Sequence, residues 1–462
     1  MGECNGEIMD ERIFGSNDIR GVYPTQFDDD DAYCIGRAFC HVMQPEKVVV
    51  GYDVRLSSVA LKNALIKGVL DSGVDVVDIG QCGTEMVYFT TFYMNLSGGI
   101  MITASHNPKE YNGFKFVGRS AKPVSKDSGL SKIKDMAVNR KFISVSKSKG
   151  RYQLLNILDE YVKHLLSYIN LEKIRPLRVV ANVGNGSAGM VLQALEKYLP
   201  LDFVKFGYEP DGSFPNGVPN PMLLENRKVT SDLIIKHKAD IGIAWDGDFD
   251  RCFLFDEKGI FVEGSYFVSL LAKAFLQKQP GEKIICDDRV NWCTVDTCKL
   301  MGGKAVVSKS GHSFIKEAMR RENAVYGGEM SSHHYFREFA FCDSGMIPWL
   351  LVIELLSTLG SSLAELLESM MEQYPCSGEI NLKFDGEDDR VYQVLALLES
   401  EYGKGGRISK IDGLSVAYTN WRFNVRKSNT EPLLRINAEA KNDPNVLKAG
   451  ISELISFVNT HI

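Results

Sequence analysis

The sequence predicts an α/β fold: three consecutive α/β domains with mixed, mainly parallel sheets, followed by a smaller C-terminal α+β domain. Three observations carry this. β-Branched runs alternate with amphipathic stretches, the pattern of parallel strands covered by helices on both faces. The alternation restarts near residues 150 and 257. Beyond about residue 375 it gives way to closely spaced strands. The expected domains are residues 1–150, 151–256, 257–374 and 375–462. A chain of 462 residues fits, since roughly 150 residues per domain allows two to four. Forty-one Gly against fifteen Pro suit many tight strand-to-helix turns.

In order, Lys47–Tyr52 (KVVVGY) is a strand. Ser57 and Ser58 can cap the next helix, with Leu61, Leu65 and Val69 on one face and Gly73 as its stop. Val74–Ile79 is a strand, Thr84–Asn95 a helix and Gly99–Thr103 a third strand. Leu154, Leu158, Tyr161, Leu165 and Ile169 recur at helical spacing. Strands follow at Arg178–Val183, Asp202–Phe206 and Asp240–Trp245, with a helix over Ser187–Tyr198. The third round has strands Ile284–Cys286, Ala305–Ser308 and Ala324–Tyr326 and helices near Tyr266–Gln277 and Ser313–Arg321. The last region has strands Glu379–Phe384, Leu414–Tyr418, Trp421–Val425 and Leu433–Ala438. Asp443-Pro444 opens a final helix, with Leu447, Ile451, Leu454 and Val458 inward.

Fifty-three Lys and Arg against 59 Asp and Glu leave a formal charge of −6. This argues against nucleic acid or an anionic membrane as partner. An anionic ligand must then meet a local cluster of cations. No stretch reaches the roughly 20 apolar residues that span a bilayer; Met346–Leu356 is short and holds Pro348 and Glu354. The acidic start, MGECNGEIMDER, does not read as a signal peptide, nor Gly2 as a myristoylation site. Ten Cys without a CxxC pair read as buried thiols in a reducing compartment, so a cytoplasmic location is expected.

Ligands of doubly wound sheets bind beyond the carboxyl ends of the strands. Four polar loops stand there or between strands. TASHNP places Ser105 beside His106, and Lys115 follows in YNGFK. A plain polar turn is the alternative, but the neighbouring His and Lys favour an anion site. DGDFDR sets Asp246, Asp248 and Asp250 at alternate positions in a tight turn, where they can converge on one hard cation. Arg251 stands where an EF-hand needs Gly, and Cys252–Phe255 reads as a strand. Three monodentate ligands leave room for a phosphate oxygen and waters, which favours Mg²⁺ over Ca²⁺. An aspartyl-nucleophile phosphatase also uses Asp-x-Asp after a strand. In GGEMSSHHYF, Glu329, Ser331 and His333 alternate and share one side of an extended loop. They suit sugar hydroxyls; His333-His334 as a metal pair, or as surface residues, is the alternative. SKSGH adds His312. RKSNTEP offers Arg426, Ser428, Asn429 and Thr430 as a phosphate cradle, or else a solvated turn. GNGSAG, Gly184 to Gly189, matches a dinucleotide signature, but its domain already carries the Asp cluster.

TASHNP, DGDFDR, GEMSSHH and RKSNTEP, in that order and spacing, resemble the α-D-phosphohexomutases over essentially the whole chain. GYDVRLSS, DIGQCGTEMVYF, FPNGVPNP, DGDFDRCFLFDEKG and FCDSGMIPWLL are most similar to the bacterial phosphomannomutase branch. The resemblance implies four domains around a central cleft. It implies Ser105 as the phosphorylated nucleophile, with Mg²⁺ on Asp246, Asp248, Asp250 and a phosphoserine oxygen, and Arg251 beside that phosphate. Glu329, Ser331 and His333 would grip the sugar, and Arg426, Ser428, Asn429 and Thr430 the unreacting phosphate. Arg20, Lys115, Arg289 and His312 would line the cleft, with Lys115 and His333 as proton carriers. The implied reaction interconverts mannose 6-phosphate and mannose 1-phosphate, supplying GDP-mannose, with a sugar 1,6-bisphosphate as intermediate and activator. Hexose phosphates are the implied small-molecule partners; the oligomeric state is left open. A dual-specificity phosphomannomutase/phosphoglucomutase and a Mg²⁺-dependent sugar phosphatase are the alternatives. Asn17 departs from the Tyr that often precedes DIRG in the family.

Overall fold

Val48, Val49 and Val50 are all buried in the strand Lys47–Tyr52, as a strand covered on both faces requires. A computed structural model describes residues 9–142, 145–384, 388–428 and 433–461. By contacts the chain divides into two units: Met1–Phe261 with Glu338–Gly360, and Val262–Arg337 with Ser361–Ile462.

In the first unit, Lys47–Tyr52 belongs to a six-stranded sheet ordered Asp18–Val22, Tyr111–Gly118, Gly98–Ile102, Lys47–Tyr52, Asp75–Gln81, Tyr152–Leu154. The last four are parallel, and Tyr111–Gly118 is antiparallel to both neighbours. The edge strand Tyr152–Leu154 comes from beyond residue 150, so the helix read from the Leu154 to Ile169 spacing starts only at Leu158. Helix Ser58–Asp71 buries Leu61, Leu65 and Val69. Its expected side-chain cap is not made: Ser58 donates to the buried Asp53 at 2.7 Å, and Ser57 accepts from Asn112. A buried carboxylate needs that hydroxyl more than a helix end does, because its desolvation is the larger penalty.

A second sheet sets Leu177–Asn182 parallel to both Leu201–Phe206 and Ile241–Trp245, with Cys252–Phe255 antiparallel at the edge. The GNGSAG turn leads into a helix of only seven residues, Gly189–Leu195. A Cβ on Gly186 would lie 2.9 Å from the Gly247 carbonyl, and the Ser187 amide donates to that carbonyl at 3.1 Å. That glycine therefore lets the acidic turn approach, in place of a pyrophosphate. The apolar run near Met346 is a core helix, Ile347–Leu359. Its Trp349 meets Trp245 and Phe203 edge-on, and Trp245 Nε1 donates to the Gly345 carbonyl at 2.9 Å. Among the described residues no single helix is long and apolar enough to cross a membrane.

In the second unit, Lys283–Asp287 lies between parallel strands Lys304–Ser308 and Tyr326–Gly328, and His334–Phe336 returns antiparallel. The C-terminal region is an antiparallel sheet ordered Ile380–Lys383, Leu433–Ala440, Trp421–Lys427, Leu414–Ala417, Arg407–Ser409. Helix Pro444–His461 buries Leu447, Leu454 and Val458, and Ile451 packs against the same core. A buried ion network joins these two sheets. Arg422 donates to Glu439 at 2.9 Å and to the Asp288 carbonyl at 2.6 Å, while Glu439 accepts the Asn291 and Trp292 amides at the start of helix Trp292–Leu300.

Candidate active site

Three of the expected loops leave the carboxyl ends of parallel strands, where a doubly wound sheet concentrates backbone dipoles and ligand contacts. The first carries Ser105, just past Gly98–Ile102. Ser105 is buried, with φ +51°, in the left-handed region that an L residue adopts only when its surroundings hold it there. Its Oγ donates to Asp246 Oδ2 at 2.8 Å and lies 3.1 Å from His106 Nδ1.

DGDFDR is the connection of the hairpin between Ile241–Trp245 and Cys252–Phe255. Asp246, Asp248 and Asp250 are all buried, and each offers an oxygen within 4.8 Å of the other two. Lys115 Nζ lies 2.6 Å from both Asp248 Oδ2 and Asp250 Oδ2. The Thr84 hydroxyl also donates to Asp248 Oδ2, and the Thr84 amide to the Asp248 carbonyl at 3.1 Å. Thr84 starts a helix, so the positive end of its dipole faces the triplet. Asp248 Oδ1 is buried with no hydrogen-bond partner among the described residues. An orphaned carboxylate oxygen among convergent carboxylates is what a hard divalent cation coordinates, so these residues fit such a metal.

Arg251 donates to Asp246 Oδ2 through Nε at 2.9 Å and Nη2 at 2.7 Å, and Nη2 also reaches His106 Nδ1. A guanidinium only donates, so His106 Nδ1 is an acceptor and carries no proton. Burial, then the charges of Arg251, Arg20 and Lys115, push His106 well below the usual imidazole range. Burial opposes the charge on Lys115, but Asp248 and Asp250 outweigh it and hold the ammonium above the usual lysine range. Lys115 is thus held here as a cation paired with two carboxylates. Arg20 reaches the serine loop through Asn107 Oδ1 at 2.5 Å and is held by Asp18 at 2.8 Å.

The second unit holds the other expected groups. Arg289 follows strand Lys283–Asp287 and is gripped by Asp287 at 2.9 and 3.1 Å. Its Nη2 also lies 3.4 Å from Glu329 Oε1 and from Ser331 Oγ. Glu329 accepts from the Gly311 amide at 2.7 Å and the Tyr335 hydroxyl at 2.6 Å. His333 Nδ1 is 3.3 Å from both Glu329 and Ser331. Burial opposes ionisation of Glu329, yet His333, Arg289 and Tyr335 hold it well below the usual carboxylate range.

Glu329, Ser331 and His333 do come together, but not by alternation along an extended loop. They form a hairpin turn, with the Ser332 amide donating to Glu329 O at 2.9 Å, the Glu329 amide to His333 O at 3.0 Å, and Ser332 at φ +66°. His334 is neither a metal partner nor a surface residue. It is interior, bonded to the Tyr326 hydroxyl at 2.7 Å, and burial lowers it to about 3. His312 opens helix His312–Glu322 directly after Gly311.

Arg426 was expected in a loop but lies in strand Trp421–Lys427. Its Nη2 donates to Glu379 at 3.3 Å, and Arg435 and Arg289 reach the same carboxylate at 3.3 and 3.9 Å. Arg426 Nε also lies 4.0 Å from Asp412 Oδ2, so carboxylates hold these guanidinium forks in place, and a fork so held suits a phosphate. Ser428 is buried, and its amide donates to Leu433 O at 2.8 Å. Asn429 and Thr430 lie outside the described residues.

Sequence reasoning assigned no role to Thr84, Asp287, Glu379 or Arg435. GYDVR and GTEMVYF carried the resemblance as strings, which was the available signal for Asp53, Arg55 and Thr84. Nothing local marked Glu379, whose partners are distant in sequence, whereas Asp287 grips Arg289 only two residues on.

Four family models cover the chain in order. They are phosphoglucomutase/phosphomannomutase α/β/α domains I (residues 11–143), II (159–259) and III (263–374), and the C-terminal domain (379–451). A phosphomannomutase of Escherichia coli K12 is 49% identical over 453 residues, covering 96% of this chain and 98% of that protein. A phosphohexose mutase of Xanthomonas campestris is 50% identical over 446 residues, covering 96% and 98%. A solved phosphoglucomutase/phosphomannomutase family protein from Burkholderia thailandensis superposes with a TM-score of 0.87 at 30% identity, covering 97% of each chain. Half of the residues shared along the full length, with all four domain models in sequence, leave one conclusion: this chain belongs to the phosphoglucomutase/phosphomannomutase family.

Proposed function

We propose that this protein is a phosphomannomutase, an isomerase that interconverts mannose 6-phosphate and mannose 1-phosphate and so supplies GDP-mannose synthesis. The observation that carries it is the buried, left-handed Ser105, its Oγ 2.8 Å from a carboxylate of a convergent aspartate triplet. Ser105 is the phosphoryl carrier, a phosphoserine in the resting enzyme. Asp246, Asp248 and Asp250, with a phosphoserine oxygen, are the ligands for Mg²⁺. When bound, the ion supplies Lewis-acid neutralisation of the phosphoryl oxygens.

Phosphoryl transfer has a loose transition state and is catalysed mainly by positioning and charge. Arg251 and Arg20 meet the charge on the serine phosphate. Lys115, cationic in its present setting, is a counter-ion or proton donor at the same place. Transfer from Ser105 to the sugar hydroxyl yields a 1,6-bisphosphate, with the hydroxyl proton passing to a base. After the bisphosphate turns over, its other phosphoryl group returns to Ser105 and the isomerised monophosphate leaves. Glu329, Ser331 and His333 recognise sugar hydroxyls, and His333 is a second proton carrier. Arg426, Ser428, Asn429 and Thr430 hold the phosphate that does not react, and Arg289 and His312 line the cleft.

The reading includes a cytoplasmic location with soluble hexose phosphates as partners. Nine free cysteines among the described residues support a reducing compartment. A second reading, activity on glucose phosphates as well, is favoured by one specific observation: a relative named as a phosphohexose mutase is as similar, at 50%, as those named phosphomannomutase. Side-by-side assays of mannose 6-phosphate and glucose 6-phosphate, each with its 1,6-bisphosphate, decide between them. Release of inorganic phosphate without a monophosphate product would refute both.

Two further outcomes are expected. Chelation of divalent cations abolishes turnover, Mg²⁺ restores it, and Asp248→Asn shifts the Mg²⁺ titration to higher concentration; an unshifted titration refutes the ligand assignment. Arg426→Ala raises the KM for the sugar phosphate by about 10- to 100-fold, the loss of one charge-assisted contact, and changes kcat less. An unchanged KM in steady-state kinetics refutes the cradle.

A further inference from the structure

We infer that Asp53 and Arg55 act as positioning residues for Ser105, holding both backbone polar groups of the reactive residue. This rests on the reading of Ser105 as the phosphoryl carrier. Arg55 is buried, and its fork donates to carbonyls of the reactive loop and to that of Tyr111, which opens the next strand. Nη2 bonds Ser105 O at 2.8 Å and Asn107 O at 2.7 Å; Nη1 bonds Pro108 O at 2.7 Å and Tyr111 O at 2.8 Å. Asp53 takes the other end. Its Oδ2 accepts from the Thr103 hydroxyl at 2.7 Å and lies 3.3 Å from Arg55 Nε. With its proton committed to Asp53, the Thr103 oxygen accepts the Ser105 amide at 2.8 Å. One ion pair thus fixes the Ser105 carbonyl directly and the Ser105 amide through Thr103.

The geometry needs such a hold. At φ +51° Ser105 is in a conformation that an L residue leaves unless over-determined. That conformation sends Oγ to Asp246 and brings the chain against Gly247, where an added Cβ would sit 2.5 Å from Ser105 O. Asp53 and Arg55 touch neither the acidic triplet nor Ser105 Oγ by hydrogen bond. They act through the backbone, so their loss should change the transfer step more than substrate binding. Lysine at position 55 keeps the charge but is a point donor and cannot bond four carbonyls.

The test uses the full chain, first stripped of its serine phosphate by a phosphatase, and measures phosphorylation of Ser105 by mannose 1,6-bisphosphate, as intact mass against time, with KM and thermal unfolding of each variant. Arg55→Lys is expected to slow phosphorylation by about 100-fold, the scale for a misplaced reactive group, with KM within about threefold of wild type. Thr103→Val is expected to slow it in the same way, and Thr103→Ser, which keeps the hydroxyl, to restore it. Wild-type rates in Arg55→Lys, or equal rates in the two Thr103 variants, overturn the inference. Should Arg55→Lys not fold, the Thr103 pair decides alone. A wild-type chain that takes no phosphate overturns the reading of Ser105 and this inference with it. A wild type that is phosphorylated no faster than Arg55→Lys overturns the positioning role only.

Discussion

Ser105→Ala is expected to lose turnover by about 10⁴-fold or more, the scale of removing a nucleophile that works with its partners as a unit. The loss should be chemical and not structural. Alanine has the same Cβ, so the left-handed backbone is no more strained than with serine. Asp246 keeps both bonds from Arg251 when the serine hydroxyl goes. Thermal unfolding should therefore stay within a few degrees of wild type. Intact mass should show one phosphoryl group on wild type, mapped to Ser105, and none on the variant. Turnover in Ser105→Ala near the wild-type rate would sink the nucleophile assignment.

The largest expected effect on stability is Arg422→Ala. The guanidinium faces Glu439 at 2.9 Å and Asp288 Oδ1 at 3.1 Å, and all three side chains are buried. Removing one member of such a network leaves buried charge without compensation, costing about 3–5 kcal/mol. Burial already raises the Glu439 carboxyl, and Arg422 opposes that rise. Without Arg422 the folded-state value climbs further. A carboxyl raised on folding favours the folded state below its unfolded range and loses that advantage as pH rises through the folded value. Urea unfolding should therefore show a larger deficit at pH 8 than at pH 5. A deficit under about 1 kcal/mol, or one that grows toward acid, would mean the network is not the buried unit described.

The parallel strands were readable because each is a short apolar run bounded by turns: Lys47–Tyr52, Leu177–Asn182 and Lys283–Asp287 differ from expectation by no more than their ends. Strands Asp18–Val22 and Tyr111–Gly118 were not. Polar and glycine positions interrupt both, and they are strands because each pairs with the other. Helix Leu224–His237 was missed because only Thr230 and Ile234 are buried, too few to mark a face. Helix Ile347–Leu359 was missed for the opposite reason, being apolar nearly all round.

Residue type and local spacing announced the chemistry: a hydroxyl after a strand, three carboxylates in one turn, a carboxylate-hydroxyl-imidazole set. Those signals lie within a few residues of one another, so local sequence suffices to read them. Orientation was different. That Ser105 faces Asp246, 141 positions away, and that Arg55 closes on carbonyls some 50 positions on, depends on sheet order and strand register. Such contacts form only when distant strands pair, and the desolvation that makes them strong exists only inside the packed fold.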